Sequence, residues 1–68
     1  MVFLNLVDVR FLSDETKAQL DRIIGLERID CVVVRSDNRW EVIGHNGRVI
    51  ALLNVDPYTE RVRVEERF

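Results

Sequence analysis

The sequence contains few of the residues that crosslink a small chain, cysteine and histidine, and few of those that interrupt regular structure, proline and glycine. It has one cysteine, Cys31, so no disulfide forms within the chain, and its single histidine leaves too few ligands for a structural zinc site. With one proline and three glycines it contains no linker or low-complexity tract. We therefore expect residues 1–68 to form a single small domain without a metal.

Long apolar runs and a large net charge are also missing. No apolar stretch approaches the ~20 residues that span a bilayer, and no charged start precedes a long apolar segment, so we expect a cytoplasmic protein with no membrane partner. Ten basic and twelve acidic residues give a net charge of −2. That balance provides no overall field for nucleic acid, although a local basic patch remains compatible with it.

Catalytic motifs are absent from the sequence as well. No glycine lies in a Gly-rich cluster before a helix, so no phosphate loop and no nucleotide cofactor is predicted. The only nucleophile and base pair is Cys31 with His45. Cys31 stands in a Cys-Val-Val-Val run typical of a buried strand, where a thiol behaves as a small hydrophobe. We expect no catalytic residue, no cofactor and no enzymatic activity.

The first half of the chain predicts a strand followed by a helix. Val7, Val9 and Phe11 alternate with polar residues, which favours a strand over Val2–Leu12. Ser13 is a good N-cap for a helix that begins at the acidic pair Asp14 and Glu15. We expect the helix to bury an apolar stripe formed by Thr16, Leu20, Ile23 and Ile24. It should end at Gly25 in a left-handed backbone conformation.

The second half predicts strands joined by short turns. Ile29–Arg35 is a β-branched run, and Asn46-Gly47 predicts a two-residue type I′ hairpin that sets Trp40 opposite Leu53 and Ile43 opposite Ile50. The face assigned to the helix side contains Trp40, Val42, Val49, Ala51, Leu53 and Val55. A turn at Asp56 to Thr59 leads to a last strand, Arg61–Arg67.

These elements predict an α+β domain of order β-α-β-β-β-β. One helix packs on one face of a mostly antiparallel sheet of four or five strands. Because one helix covers only one face, apolar residues on the other face need a different explanation. A chain this short is marginally stable alone, so self-association is a physically reasonable addition.

The surplus apolar residues on the second face are the main functional indication. They are Leu4, Leu6, Ile43, Ile50 and Leu52. If they lie near one another, they form a patch large enough for a protein interface. Alternatively, a bulge or strong twist returns some of them to the single core. We expect a small non-enzymatic interaction or regulatory module that binds another protein or itself, as a homo-oligomer.

Arginines on the C-terminal strands offer a second hypothesis. RNA or single-stranded DNA would bind through a sheet surface that carries Arg39, Arg48, Arg61 and Arg63. Two features oppose this hypothesis. Glutamates are interleaved with these arginines and predict cross-strand ion pairs, and Trp40 is assigned to the core face.

The segment from Val55 to Val62 resembles the strand, Asp-x-x-Thr-Gly turn and strand that end PepSY-type domains. Asp56 and Thr59 match that pattern, and Glu60 stands where it has glycine. The same residues are explained as a hairpin turn, because Asp56 accepts local hydrogen bonds and Pro57 presets φ. We assign no family on this segment.

Overall fold

A computed structural model of the chain describes residues 5–36 and 38–68. The regular elements are β1 (Asn5–Asp8), α1 (Asp14–Ile23), β2 (Ile29–Val34), β3 (Arg39–Gly44), β4 (Val49–Val55) and β5 (Val62–Arg67). The five strands form one sheet in the order β1-β2-β3-β4-β5, and each adjacent pair is antiparallel. This confirms the predicted α+β class and its β-α-β-β-β-β order.

The helix begins where the sequence predicts. The backbone N–H of Thr16 donates to Ser13 Oγ at 3.2 Å, and Gly25 follows the last turn with a φ of 102°. Leu20 is fully buried, and Thr16 is 3% exposed. Among the described residues no helix is long and apolar enough to cross a bilayer.

The core lies between α1 and one face of the sheet, which we call the helix side. Its buried members are Leu20, Ile29, Val32, Val42, Ala51, Leu53 and Val55. Trp40 packs against this cluster, as predicted, and so do Val9 and Leu26 from the two 3-10 turns at Val9–Phe11 and Leu26–Arg28. The connections on both sides of α1 therefore also contribute to the helix side.

The first strand is shorter than the predicted Val2–Leu12. The carboxylate of Asp8 accepts the backbone N–H of Arg10 at 2.9 Å, which favours a 3-10 turn over Val9–Phe11 instead of an extended strand. Val9 still packs on the core, whereas Phe11 is 77% exposed. Residues 1–4, which include the predicted strand start, lie outside the described residues.

The β3–β4 hairpin differs from the predicted type I′ turn. The N–H of Gly47 donates to the carbonyl of Gly44 at 3.0 Å, and the N–H of Gly44 donates to the carbonyl of Arg48 at 2.9 Å. Gly47 has a φ of 78°, while Asn46 does not have a positive φ. This is a three-residue loop in which one glycine at positive φ completes the turn as a bulge. Asn46 Oδ1 also accepts the N–H of Arg48, so Asn46 fits this alternative geometry equally well.

The turn before β5 joins the sheet to the helix. Asp56 Oδ1 accepts the N–H groups of Tyr58 and Thr59, and these bonds lower the pKa of the Asp56 carboxyl. Glu60 completes the turn at a φ of 61°, a conformation that glycine adopts more readily than other residues. The side-chain amide of Gln19 then donates to the Glu60 carbonyl at 2.6 Å and accepts the Val62 N–H at 2.8 Å. Gln19 thus pairs with the edge of β5 as a neighbouring strand would.

We expect Gln19→Ala to lower the free energy of unfolding by about 1–2 kcal/mol, because the part-buried Val62 N–H loses its acceptor. Chemical denaturation followed by circular dichroism measures this change. Lys17→Ala is the matched control on the same helix, since Lys17 pairs with the fully exposed Asp14 and an exposed ion pair contributes little. Equal losses for the two variants would show that the Gln19 bridge contributes nothing.

Candidate interaction surface

The sheet face opposite the helix, which we call the second face, is organised in cross-strand rows. The middle row contains Leu6, Val33, Glu41, Leu52 and Glu66, one residue from each strand. The next row contains Asp8, Cys31, Ile43 and Val49. Since directly paired residues share a face, strands β1 to β4 together present a continuous apolar area around Glu41.

Burial across this apolar area is uneven. Cys31 and Val33 are each only 7% exposed. Ile43 and Leu52 are partly exposed, and Leu6 is 65% exposed at the β1 edge. The area is therefore buried on β2 and most exposed at the leucine of the β1 edge.

The structure places three of the five predicted interface residues on the second face: Leu6, Ile43 and Leu52. Leu4 lies outside the described residues. The placement of Ile50 on this face is wrong, because Ile50 packs against the core cluster. Whether the three residues form an interface stays a prediction.

A register shift between Val42 and Ile43 explains the different position of Ile50. The shift pairs Ile43 with Val49 and leaves Ile50 as the extra residue of a bulge. The Ile50 side chain occupies space that is free because Gly44 has no side chain. A Cβ added at Gly44 would lie 3.1 Å from Ile50 Cγ2. The same shift moves Val49 from its predicted helix-side position to the second face.

The arginines of the nucleic-acid hypothesis do not form one patch. Arg39 and Arg63 lie on the second face on either side of Asn54, which pairs with both. Arg61 lies in the turn next to β5, and Arg48 belongs to the β3–β4 loop at the opposite end of the sheet. Sequence proximity grouped these four residues, whereas the antiparallel strands separate Arg48 from the others.

The predicted neutralisation by glutamate occurs for one arginine. Arg35 donates to both carboxylate oxygens of Glu41, with 2.9 Å from Nε to Oε2. Glu65 instead accepts from the amide of Asn54, and Glu60 lies within hydrogen-bond distance of Ser13. Among the described residues, neither Arg39 nor Arg63, at one end of the second face, lies within ion-pair distance of a carboxylate.

A surface cavity of about 150 Å³ lies at this end of the second face. Its lining residues are Arg35, Arg39, Trp40, Glu41, Leu52, Leu53 and Glu65. Leu52 contributes an apolar wall, and the ion-paired Arg35 and Glu41 form a second wall. A cavity of this volume holds an apolar group as large as benzene, so one aliphatic side chain fits into it.

Cys31 and His45 are held in separate environments. Burial, with the nearby carboxylates of Asp30 and Asp8, raises the pKa of the Cys31 thiol, which disfavours the reactive thiolate. The Nε2 atom of His45 lies 2.7 Å from the carbonyl of Glu27 and donates to it. His45 therefore fastens the β3–β4 loop to the turn before β2. In the described part of the chain no cluster of three or more metal-ligating side chains occurs.

Several residues of the second face were not predicted from the sequence. Cys31, Val33 and Val49 belong to the apolar area, and Glu41 and Glu65 line the cavity. Period-2 alternation within the valine run would have separated Cys31 and Val33 from Val32. No local signal marks Val49, because its face depends on the bulge.

The fold and this surface define a five-stranded antiparallel α+β domain whose described strands carry an apolar area on the sheet face opposite the helix. No known protein family, curated protein or solved structure matches the chain.

Proposed function

We propose that this protein is a non-enzymatic interaction module that associates with a second copy of itself through the second face. The observation that carries the proposal is the apolar area of β1 to β4, with Leu6 65% exposed at its edge. The helix and both described 3-10 turns pack on the other side of the sheet. Burial of exposed aliphatic surface is the main driving force for association.

The dimensions of the second face set the size of a dimer interface. Five strands at ~4.8 Å spacing and six residues at ~3.3 Å rise give a projected area of roughly 400–500 Å². Two such faces in contact bury roughly 800–1,000 Å² in total, which is the size of weak, reversible interfaces and less than the about 1,200–2,000 Å² of standard stable ones.

The composition of the face supports specific association. Aliphatic residues surround the ion-paired Glu41 in the middle of the face, while other charged residues such as Arg63, Glu66 and Asp8 stand toward its margins. Interfaces commonly combine an apolar centre with a polar rim, and the rim charges set orientation. A small domain also gains stability when a second copy covers apolar surface.

We expect the wild-type protein to sediment as a dimer and Leu52→Arg to sediment as a folded monomer. Leu52 is partly exposed on the second face, so an arginine there keeps its charge in water in the monomer but is desolvated in the dimer. Analytical ultracentrifugation over a hundredfold concentration range measures the dissociation constant, which we expect to rise at least a hundredfold.

Tyr58→Arg is the control for added charge, because Tyr58 is 94% exposed in the turn before β5. This variant should dimerise like the wild type. A wild-type protein that stays monomeric at every concentration, or a Leu52→Arg variant that dimerises normally, would refute the proposal.

Binding of single-stranded nucleic acid ranks second, supported by the position of Arg39 and Arg63 on either side of Asn54. The adjoining surface is largely aliphatic, and the packing of Trp40 against the core cluster opposes base stacking on its indole ring. An oligonucleotide affinity that falls steeply with salt would identify this function instead.

A further inference from the structure

We propose that self-association through the second face depends on the ion pair between Arg35 and Glu41. Arg35 neutralises a carboxylate that stands in the middle of the apolar area, and without it two such faces bind poorly. This role of Arg35 rests on the proposed function, because it concerns the same surface. It follows from the position of Glu41, from its contact with Arg35 and from the unequal exposure of the two side chains.

Glu41 stands where two associating faces exclude most water. It lies on β3, the central strand of the five, in the middle row between Val33 of β2 and Leu52 of β4. Ile43, two residues further along β3, points to the same face. Glu41 thus has aliphatic neighbours on both adjacent strands and on its own. Its side chain is only 22% exposed even in the single chain.

Arg35 reaches this carboxylate from the end of β2. Its backbone N–H donates to the carbonyl of Arg39 at 2.9 Å, so the pairing of β2 with β3 continues one residue beyond β2. Arg35 follows Val33 by two residues and therefore points to the same face. Its guanidinium donates to both carboxylate oxygens of Glu41, from Nε to Oε2 at 2.9 Å and from Nη2 to Oε1 at 3.3 Å. Such a two-point contact is stronger and more specific in geometry than a single hydrogen bond.

The other charges on the described second face are less affected by association. Arg10 of the same chain binds both carboxylate oxygens of Asp8, at the end of the edge strand β1. Arg63 and Glu66 are exposed on the opposite edge strand, β5. Arg39 is exposed at the start of β3. Association therefore removes water from Glu41 more completely than from these residues.

A symmetric contact centred on the middle row brings Glu41 of the two copies close together. With Arg35 in place, each carboxylate enters the interface as part of a neutral, hydrogen-bonded pair. Without Arg35, two carboxylates lose water beside each other, so desolvation and like-charge repulsion both oppose association. Arg35 is 48% exposed at the end of the face, so it keeps water when Glu41 is neutral. Loss of the arginine is therefore more harmful than loss of the carboxylate.

Arg35→Gln tests this dependence. We expect its dimer to have a dissociation constant at least about tenfold above that of the wild type, measured by analytical ultracentrifugation. Arg39→Gln is the matched control, because it removes the same charge from the residue paired with Arg35 across the strands. Arg39 has no carboxylate within ion-pair distance among the described residues, so its variant should stay within about threefold of the wild type.

A double-mutant cycle separates neutralisation of Glu41 from a general need for positive charge. Glu41→Gln removes the carboxylate that Arg35 neutralises. In that background Arg35→Gln should change the dissociation constant by less than about threefold, because no buried charge is left without a partner. An arginine that acted through the overall charge of the face would have the same effect with or without the carboxylate.

Folding is followed separately by circular dichroism and chemical denaturation below the dissociation constant. A partly exposed ion pair contributes little to stability, so Arg35→Gln should keep the wild-type spectrum and nearly the wild-type midpoint. A wild-type dimer that Arg35→Gln and Arg39→Gln weaken equally refutes the role of the ion pair alone. So does an effect of Arg35→Gln that is unchanged in the Glu41→Gln background. A wild type that is monomeric at every concentration refutes the proposed function as well.

Discussion

Val42→Asp is expected to unfold the protein, whereas Ile43→Asp, one residue further along β3, is expected to leave it folded and monomeric. Val42 is fully buried between Val32 and Ala51 at the centre of the sheet. A carboxylate there has no partner, and burial of an unpaired charge costs more than about 4 kcal/mol. That cost is comparable to the whole stability that one small core supplies.

Ile43 is the matched position because it differs from Val42 mainly in the face it occupies. Its side chain is partly exposed on the second face, so a carboxylate keeps most of its hydration in the monomer. Far-ultraviolet circular dichroism and thermal denaturation report folding, and sedimentation reports association. Two variants that behave alike would contradict the assignment of these residues to opposite faces.

Leu20→Ala is expected to lower the free energy of unfolding by about 2–5 kcal/mol. Leu20 is fully buried and is the largest buried side chain that α1 contributes. An isolated helix of ten residues is marginal in water, so α1 depends on this contact with the sheet. For a domain of this size the loss corresponds to a fall in the midpoint of thermal unfolding of roughly 10–30 °C.

Phe11→Ala provides the comparison for Leu20→Ala, because it also truncates a large apolar residue but one that is 77% exposed. Its only stacking neighbour among the described residues is the guanidinium of Arg10, 5.7 Å from the ring centre. We expect less than about 1 kcal/mol of change for this variant. If the midpoint of thermal unfolding falls equally for both variants, Leu20 is not the principal contact between α1 and the sheet.

The helix and the turns were predictable because their signals are local. Ser13 accepts a hydrogen bond from the third residue after it, and Gly25 takes the positive φ that its position requires. Asp56 likewise bonds residues two and three positions further on. Each of these interactions is complete within a few residues, so composition and spacing suffice to indicate it.

The hairpin shows where local signals become ambiguous. Asn-Gly suits a two-residue type I′ turn, but the same dipeptide also fits a three-residue loop with glycine at the bulge. The three-residue loop shifts the strand register by one residue. Val49 therefore lies on the second face and Ile50 on the helix side, each on the face opposite to the predicted one. The space at Gly44 that receives Ile50 exists only once β3 and β4 are paired.

The order of residues along the chain was enough to indicate a small α+β domain with more aliphatic residues than one helix covers. That conclusion needs only periodicity and residue counts, which depend on near neighbours. Only the strand pairings placed Leu6, Ile43 and Leu52 together on the second face and removed Ile50 from the candidate interface. Strand register and bulges depend on partners distant in the chain, so no local pattern contains them.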